Sequence, residues 1–329
     1  MTFGGKAALA GLLLGGGVLA SSAHAQDGER PESSPISRVT ANRAAEGHSR
    51  VFGGKEAQPG AYPFQVGLLA TGRLDDDPAS QINAQFCGGS LIAPGWVLTA
   101  AHCLVDGGTP IPATAVTALI GATALSEGKR HAVAEVIVHA HYNTANLDND
   151  IGLLRLAEES DAPTIRLVSE NVETGNATVT GWGRMENGAF PVNLMEADIE
   201  LTSNGACNAG IKEIYARDLG LVLRNFAPRM RYSAEGVAAA TQAIAATMGD
   251  PLTSNMLCAG IADGARDACN GDSGGPLFIK DGDEPVQVGV VSWGEGPMDA
   301  TAACGHANAY GVYARVHAYL DWIAEHTGQ

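Results

Sequence analysis

Three short strings hold residue types that together could attack a carbonyl carbon. Ser273 lies in Asp267-Ala268-Cys269-Asn270-Gly271-Asp272-Ser273-Gly274-Gly275-Pro276. A glycine-rich turn of this kind lets a hydroxyl and its neighbouring backbone N–H groups face a substrate without side-chain obstruction. A serine hydroxyl alone is a poor nucleophile at neutral pH and needs a base within hydrogen-bond reach. His102, in Leu98-Thr99-Ala100-Ala101-His102-Cys103, offers that base, and Asp150, in Asn149-Asp150-Ile151-Gly152-Leu153-Leu154, offers a carboxylate to orient it.

Taken together, and in the chain order His, Asp, Ser, these strings resemble the trypsin-like (chymotrypsin-fold) serine proteases. The resemblance runs from Val51 to about His326. It takes in Arg50-Val51-Phe52-Gly53-Gly54, Cys87-Gly88-Gly89-Ser90-Leu91, Thr180-Gly181-Trp182-Gly183, Ser292-Trp293-Gly294 and Gly311-Val312-Tyr313. It implies two packed antiparallel six-stranded β-barrels. It also implies that His102 takes the Ser273 proton, that Asp150 fixes the imidazole tautomer, and that the N–H groups of Gly271 and Ser273 form an oxyanion hole. Ser292 would support Asp150 and offer its backbone to substrate.

The same resemblance places Asp267 at the floor of the primary specificity pocket and Gly294 and Gly311 in its walls. An anionic floor selects Arg or Lys, and Ala268 has no hydroxyl for a lysine ammonium, so arginine is expected to be preferred. Cleavage after Arg50 would free the Val51 amine to pair with Asp272. The implied disulfides are Cys87–Cys103, Cys207–Cys258 and Cys269–Cys304. Expected partners are polypeptides with Arg or Lys at the cleavage site, and protein inhibitors of such enzymes. No cofactor or metal is expected: the segment from Gly121 to Arg130 is too short for the acidic calcium loop of some relatives. Tyr310 stands where an aromatic accompanies sodium binding in some members.

The elements that must position these residues read as β. Short β-type runs at Phe64–Leu69, Trp96–Thr99, Val133–Val138, Ile151–Leu156, Thr178–Thr180, Ala197–Leu201, Pro276–Ile279, Val286–Ser292 and Val312–Val316 are separated by Gly, Pro, Asn and Asp. Many short strands with regular turn signals predict an all-β sandwich or barrel. The stretch 71–85, with Asp75-Asp76-Asp77-Pro78, reads as a solvated loop.

Between Cys207 and Cys258 the pattern changes. Ile211, Ile214, Tyr215, Leu219, Val222, Leu223 and Phe226 recur at helical spacing up to Pro228, and an alanine-rich helix is predicted from Ser233 to Met248. This loop, 208–255, is longer than the family's and predicts a helical insertion near the cleft rim. A C-terminal helix is expected over His317–His326.

The N-terminus carries Lys6, an apolar run over Ala7–Ala20, and Ala23-His24-Ala25 before Gln26, the pattern of a secretory signal at 1–25. Residues 26–50 are rich in Ser, Pro, Glu and Arg, and read as a propeptide that cannot offset its ordering entropy by burial. The protease-like region is then 51–329, in a secreted or periplasmic protein with no membrane partner after signal removal. In that oxidising setting, six cysteines without CxxC spacing favour three disulfides over metal. The formal charge of −16 excludes nucleic acid as a natural partner.

Two rival functions fit parts of the pattern. An α/β-hydrolase esterase shares the Gly-x-Ser-x-Gly string, but wants a helix where Pro276 opens a β-type run. A binding protein that has lost catalysis would not need the three chemical residues together.

Overall fold

The computed structural model describes residues 53–185, 187, 189–302 and 304–328. The expected signal segment, the propeptide and the cleavage pair Arg50 and Val51 lie outside the described residues.

Six strands form the first closed barrel: β1 (Gln65–Ala70), β2 (Gln85–Ala93), β3 (Trp96–Thr99), β4 (Val116–Ile120), β5 (Lys129–Val138) and β6 (Gly152–Leu156), in the order β1-β2-β3-β6-β5-β4. Six more form the second: β7 (Gly175–Gly181), β8 (Met195–Thr202), β9 (Met256–Gly260), β10 (Pro276–Asp281), β11 (Glu284–Trp293) and β12 (Gly311–Arg315). Here β7 pairs β8 and β10, β8 pairs β9, β9 pairs β12, and β11 bridges β12 and β10, so the ring closes as β7-β8-β9-β12-β11-β10. The two rings share one strand order. Every ring pairing is antiparallel, whereas Arg166–Leu167 adds to β11 in parallel and Lys55–Glu56 adds to β8.

Side-chain alternation explains β8, whose burial switches at every residue so that Met195, Ala197, Ile199 and Leu201 face inward. The strands β1 and β2 are buried along their whole length because each lies between two packed layers. The barrels meet through Phe64 and Phe278, stacked edge to face at 5.6 Å. Two buried polar bridges cross the same seam: Ser90 Oγ donates to Gln287 Oε1 at 2.7 Å, and Thr180 Oγ1 to Gln65 Oε1 at 2.7 Å. The disulfides join Cys87 to Cys103, Cys207 to Cys258 and Cys269 to Cys304.

The stretch 71–85 is more ordered than a solvated loop. It contains a 3-10 turn, Thr71–Arg73, and the helical turn α1 (Ser80–Ala84). Arg130 organises it, donating to the carbonyls of Asp75 and Asp77 and to Gln81 Oε1. Asp77 Oδ1 caps the Ala79 N–H, so that carboxylate serves the turn.

The insertion is two helices, α2 (Asn204–Met230) and α3 (Ala234–Ala245). The first runs past Pro228, because a proline in the last turn deletes only one terminal hydrogen bond. It stops at Arg231, whose φ of 55° is left-handed. Ser203 and Ser233 cap the two N-termini. The chain ends in a 3-10 turn, Val316–Tyr319, and α4 (Leu320–Thr327).

Arg315 fastens the insertion to the second barrel. Only 8% exposed, it donates to the carbonyls of Ser254 and Met256 and to Asn171 Oδ1 and Asn204 Oδ1. Arg315→Met takes the arginine donors from Ser254 O, Asn171 Oδ1 and Asn204 Oδ1 and leaves Met256 O with the Asn204 amide, and is expected to cost about 3 kcal/mol. A fall in the guanidinium chloride midpoint at unchanged m-value is the measurement that checks it.

Candidate active site

His102 sits in the 3-10 turn Ala101–Cys103 just after β3, and Asp150 stands two residues before β6, so both come from the first barrel. Ser273 lies in the turn between β9 and β10, and Ser292 near the end of β11, both in the second. All four are at most 6% exposed.

Asp150 is the meeting point. Its Oδ1 accepts the His102 backbone N–H at 2.8 Å, and its Oδ2 accepts His102 Nδ1–H at 2.7 Å and the Ser292 hydroxyl at 2.5 Å. Three donors replace the hydration that a carboxylate 1% exposed has lost. The bond at Nδ1 puts the proton of a neutral imidazole there and the lone pair on Nε2, which lies 3.7 Å from Cys103 Sγ; this is the tautomer a general base needs.

The serine turn is locked to both barrels. The Gly88 N–H donates to the Ser273 carbonyl at 2.7 Å, and Gly274 N–H donates to Val291 O at 2.8 Å. At Gly274, with φ +81°, a Cβ would lie 2.2 Å from Thr99 Oγ1, so only glycine brings the turn this close to β3. Neither the Gly271 nor the Ser273 N–H has an acceptor among the described residues. Two unused donors, one on either side of Asp272, are of the kind an oxyanion requires.

Beneath this turn two carboxylates are buried without a cation among the described residues. Asp272 Oδ1 accepts the Gly183 N–H at 2.7 Å and Oδ2 the Cys269 N–H at 3.0 Å, and burial pushes its carboxyl up to about 6. A Cβ at Gly183 would sit 2.4 Å from that carboxylate, so Gly183 makes the room. Burial pushes Asp267 further, to about 8, against the backbone N–H groups of Gly305 and Ala268, with neighbouring Asp272 adding repulsion. Asp267 Oδ1 has no hydrogen-bond partner among the described residues. Gly311 is packed directly on it, since a Cβ there would approach Oδ1 to 2.8 Å, whereas Gly294 is exposed with open space around it.

The sequence missed the brace across this region. From α2, the Tyr215 hydroxyl donates to Glu295 Oε1 at 2.8 Å, Arg217 pairs with Asp299, and Asp218 Oδ2 accepts the Met298 N–H at 2.8 Å. These residues hold the segment just after Gly294. Helical periodicity had signalled only Tyr215, as an apolar-face residue, because long-range hydrogen bonds leave no local pattern.

His102, Cys87 and Cys103 present ligand atoms within 4.8 Å of one another, but the two sulfurs are joined and cannot act as thiolates. His139 and His141 lie 5.8 Å apart, and His139 packs edge-on against Tyr319 and Trp322 as part of the core edge. Tyr310 borders Gly260, where a Cβ would lie 3.2 Å from its ring.

Residues 51–220 and 228–323 match the family model described as Trypsin. The chain is 32% identical over 302 residues to rat mannan-binding lectin serine protease 1, covering 85% of this chain and 36% of that protein. It is 32% identical over 300 residues to human transmembrane protease serine 11B, covering 88% and 58%, and 32% identical over 289 residues to bovine coagulation factor XI, covering 85% and 38%. It thus spans only about a third to three fifths of the length of these relatives.

The raised carboxyls set a pH dependence. Between an unfolded value near 4 and folded values of about 6 and about 8, the native chain holds protons that the unfolded chain has released, so stability falls as pH rises through that window. The melting temperature of the uncleaved chain is expected to drop by several degrees from pH 5 to pH 8.5. Asp267→Asn should remove the upper part of that drop.

Proposed function

We propose that this chain, which belongs to the trypsin-like serine protease family, is a secreted serine endopeptidase precursor that cuts polypeptides after arginine, and less readily after lysine. The observation that carries the specificity is the unpartnered Asp267 oxygen in a buried site. A carboxylate held there without a cation is costly, and a substrate guanidinium with its forked donors relieves that cost more fully than an ammonium. Ala268 beside it offers no extra hydroxyl to a lysine.

In the proposed reaction, Ser273 Oγ attacks the scissile carbonyl while His102 Nε2 takes its proton. The imidazolium is stabilised by Asp150 and returns the proton to the departing amine. The oxyanion is received by the Gly271 and Ser273 N–H groups, each such donor contributing about 3–4 kcal/mol in enzymes of this chemistry. Water then repeats the cycle on the acyl-enzyme.

Activation follows the same electrostatics. Residues 1–25 would be removed on export and 26–50 on cleavage after Arg50, leaving 51–329. Gly53 is wedged against the Ala265 carbonyl, where a Cβ would lie 1.9 Å away. Val51 is two residues upstream, within about 7 Å of chain. Its freed amine would supply the cation that Asp272 lacks among the described residues, and the ion pair would hold the oxyanion turn.

Matched Arg and Lys peptides, incubated with chain cleaved after Arg50, test the specificity. Arginine is expected to be favoured about tenfold in kcat/KM, with both activities lost in Asp267→Asn; equal rates would sink the arginine preference. Because Arg50 suits the same pocket, the uncleaved Ser273→Ala variant should stay intact on storage while wild type processes itself. Spontaneous cleavage of that variant, seen on a gel, would instead require a second protease.

A further inference from the structure

We propose that the far end of the insertion is a peripheral docking tip for an anionic lipid surface, which revises the expectation that no membrane partner remains after signal removal. The contacts of α2 with the barrels involve its first half: Cys207, Asn208, Gly210, Ile211 and Ile214 are buried, and its last bonds to the 294–300 loop come from Arg217 and Asp218. No residue of α2 after Gly220 is buried, and α3 buries only Val237 as it returns alongside. The ten residues after Gly220, through Met230, extend about 15 Å along the helix axis.

At the end of that arm Phe226, Met230 and Tyr232 are each more than half exposed, three of the six large apolar side chains exposed among the described residues. Arg224, Arg229 and Arg231 are interleaved with them and exposed, and none makes an ion pair among the described residues. From Leu219 to Ala234 there is no acidic residue. Glu235 follows, but its carboxylate turns to the Ser233 hydroxyl at the start of α3. In a chain of net charge −16 this is an isolated basic and apolar end. Where α2 ends, at Met230, the acidic residues at its base, such as Asp218, lie about 18 Å away along the axis, beyond the Debye length of roughly 8 Å at physiological salt.

Charge and shape choose the occupant. A stable protein interface buries about 800 Å² on each partner, more than the six side chains at the end of this hairpin supply. An interfacial membrane contact needs only a few apolar and aromatic side chains among the acyl chains, with arginines at the phosphates above them. A polyanion alone would leave Phe226, Met230 and Tyr232 unexplained.

Co-sedimentation of the full chain with vesicles is the test. The chain is expected to bind vesicles in which about a third of the lipid is phosphatidylglycerol and not those of phosphatidylcholine alone. The triple variant Arg224→Gln, Arg229→Gln, Arg231→Gln should bind on the order of a hundredfold more weakly, at about fivefold per arginine. Phe226→Ser with Met230→Ser should weaken binding about tenfold or more while leaving the melting temperature and peptide cleavage unchanged. Absence of binding to anionic vesicles, equal binding to neutral ones, or binding insensitive to the apolar substitutions would overturn the proposal. So would a concentration-dependent dimer abolished by these substitutions, which would make the tip a contact between copies.

Discussion

A single buried carboxylate at the seam of two barrels organises everything around it. Asp150 draws donors from both halves of the chain, His102 from the first barrel and Ser292 from the second. Because an ion so deprived of water is tolerable only when its lone pairs are filled, the barrels are held in the one docking that fills them. The supports are themselves shared across the seam: the Gly88 N–H to the Ser273 carbonyl, Ser90 to Gln287, Gln65 to Thr180. The cleft is thus a consequence of satisfying polar groups as much as of packing aromatic rings.

Against that satisfied centre stand two carboxylates left wanting. Asp272 is as deeply buried as Asp150 and Asp267 nearly so, yet each depends on backbone N–H groups and neither has a cation beside it among the described residues. The difference divides the site into a part complete as it stands and a part that a positive charge would complete. Glycines mark the boundary: Gly181, Gly183 and Gly311 leave no space for a β-carbon beside these carboxylates.

The sequence made much of this legible because the site is written in short local strings, and strands such as Trp96–Thr99 and Met195–Thr202 carry clear β patterns. The strand Gln85–Ala93 escaped notice, since Gln-Phe-Cys-Gly-Gly-Ser is neither alternating nor uniformly apolar and its burial comes from layers packed later on both faces. Arg130, which orders the 71–85 stretch, and Arg315, which ties the insertion down, were likewise invisible, because their partners lie far away in sequence. Helical periodicity located α2 but overstated its packing: Phe226 continues the apolar face of Ile211 and Ile214 beyond the point where there is anything to cover it.

That both barrels follow one strand order has a consequence for how such a chain can exist at all. Each half is a closed ring with no open sheet edges of its own, and so is self-sufficient as architecture, but the chemical groups are dealt out between the halves. Either ring by itself would hold only a fragment of the cleft. The linker from Leu156 to Gly175 therefore acts as a tether that keeps two inert bodies at high effective concentration, and chemistry begins only where their surfaces meet.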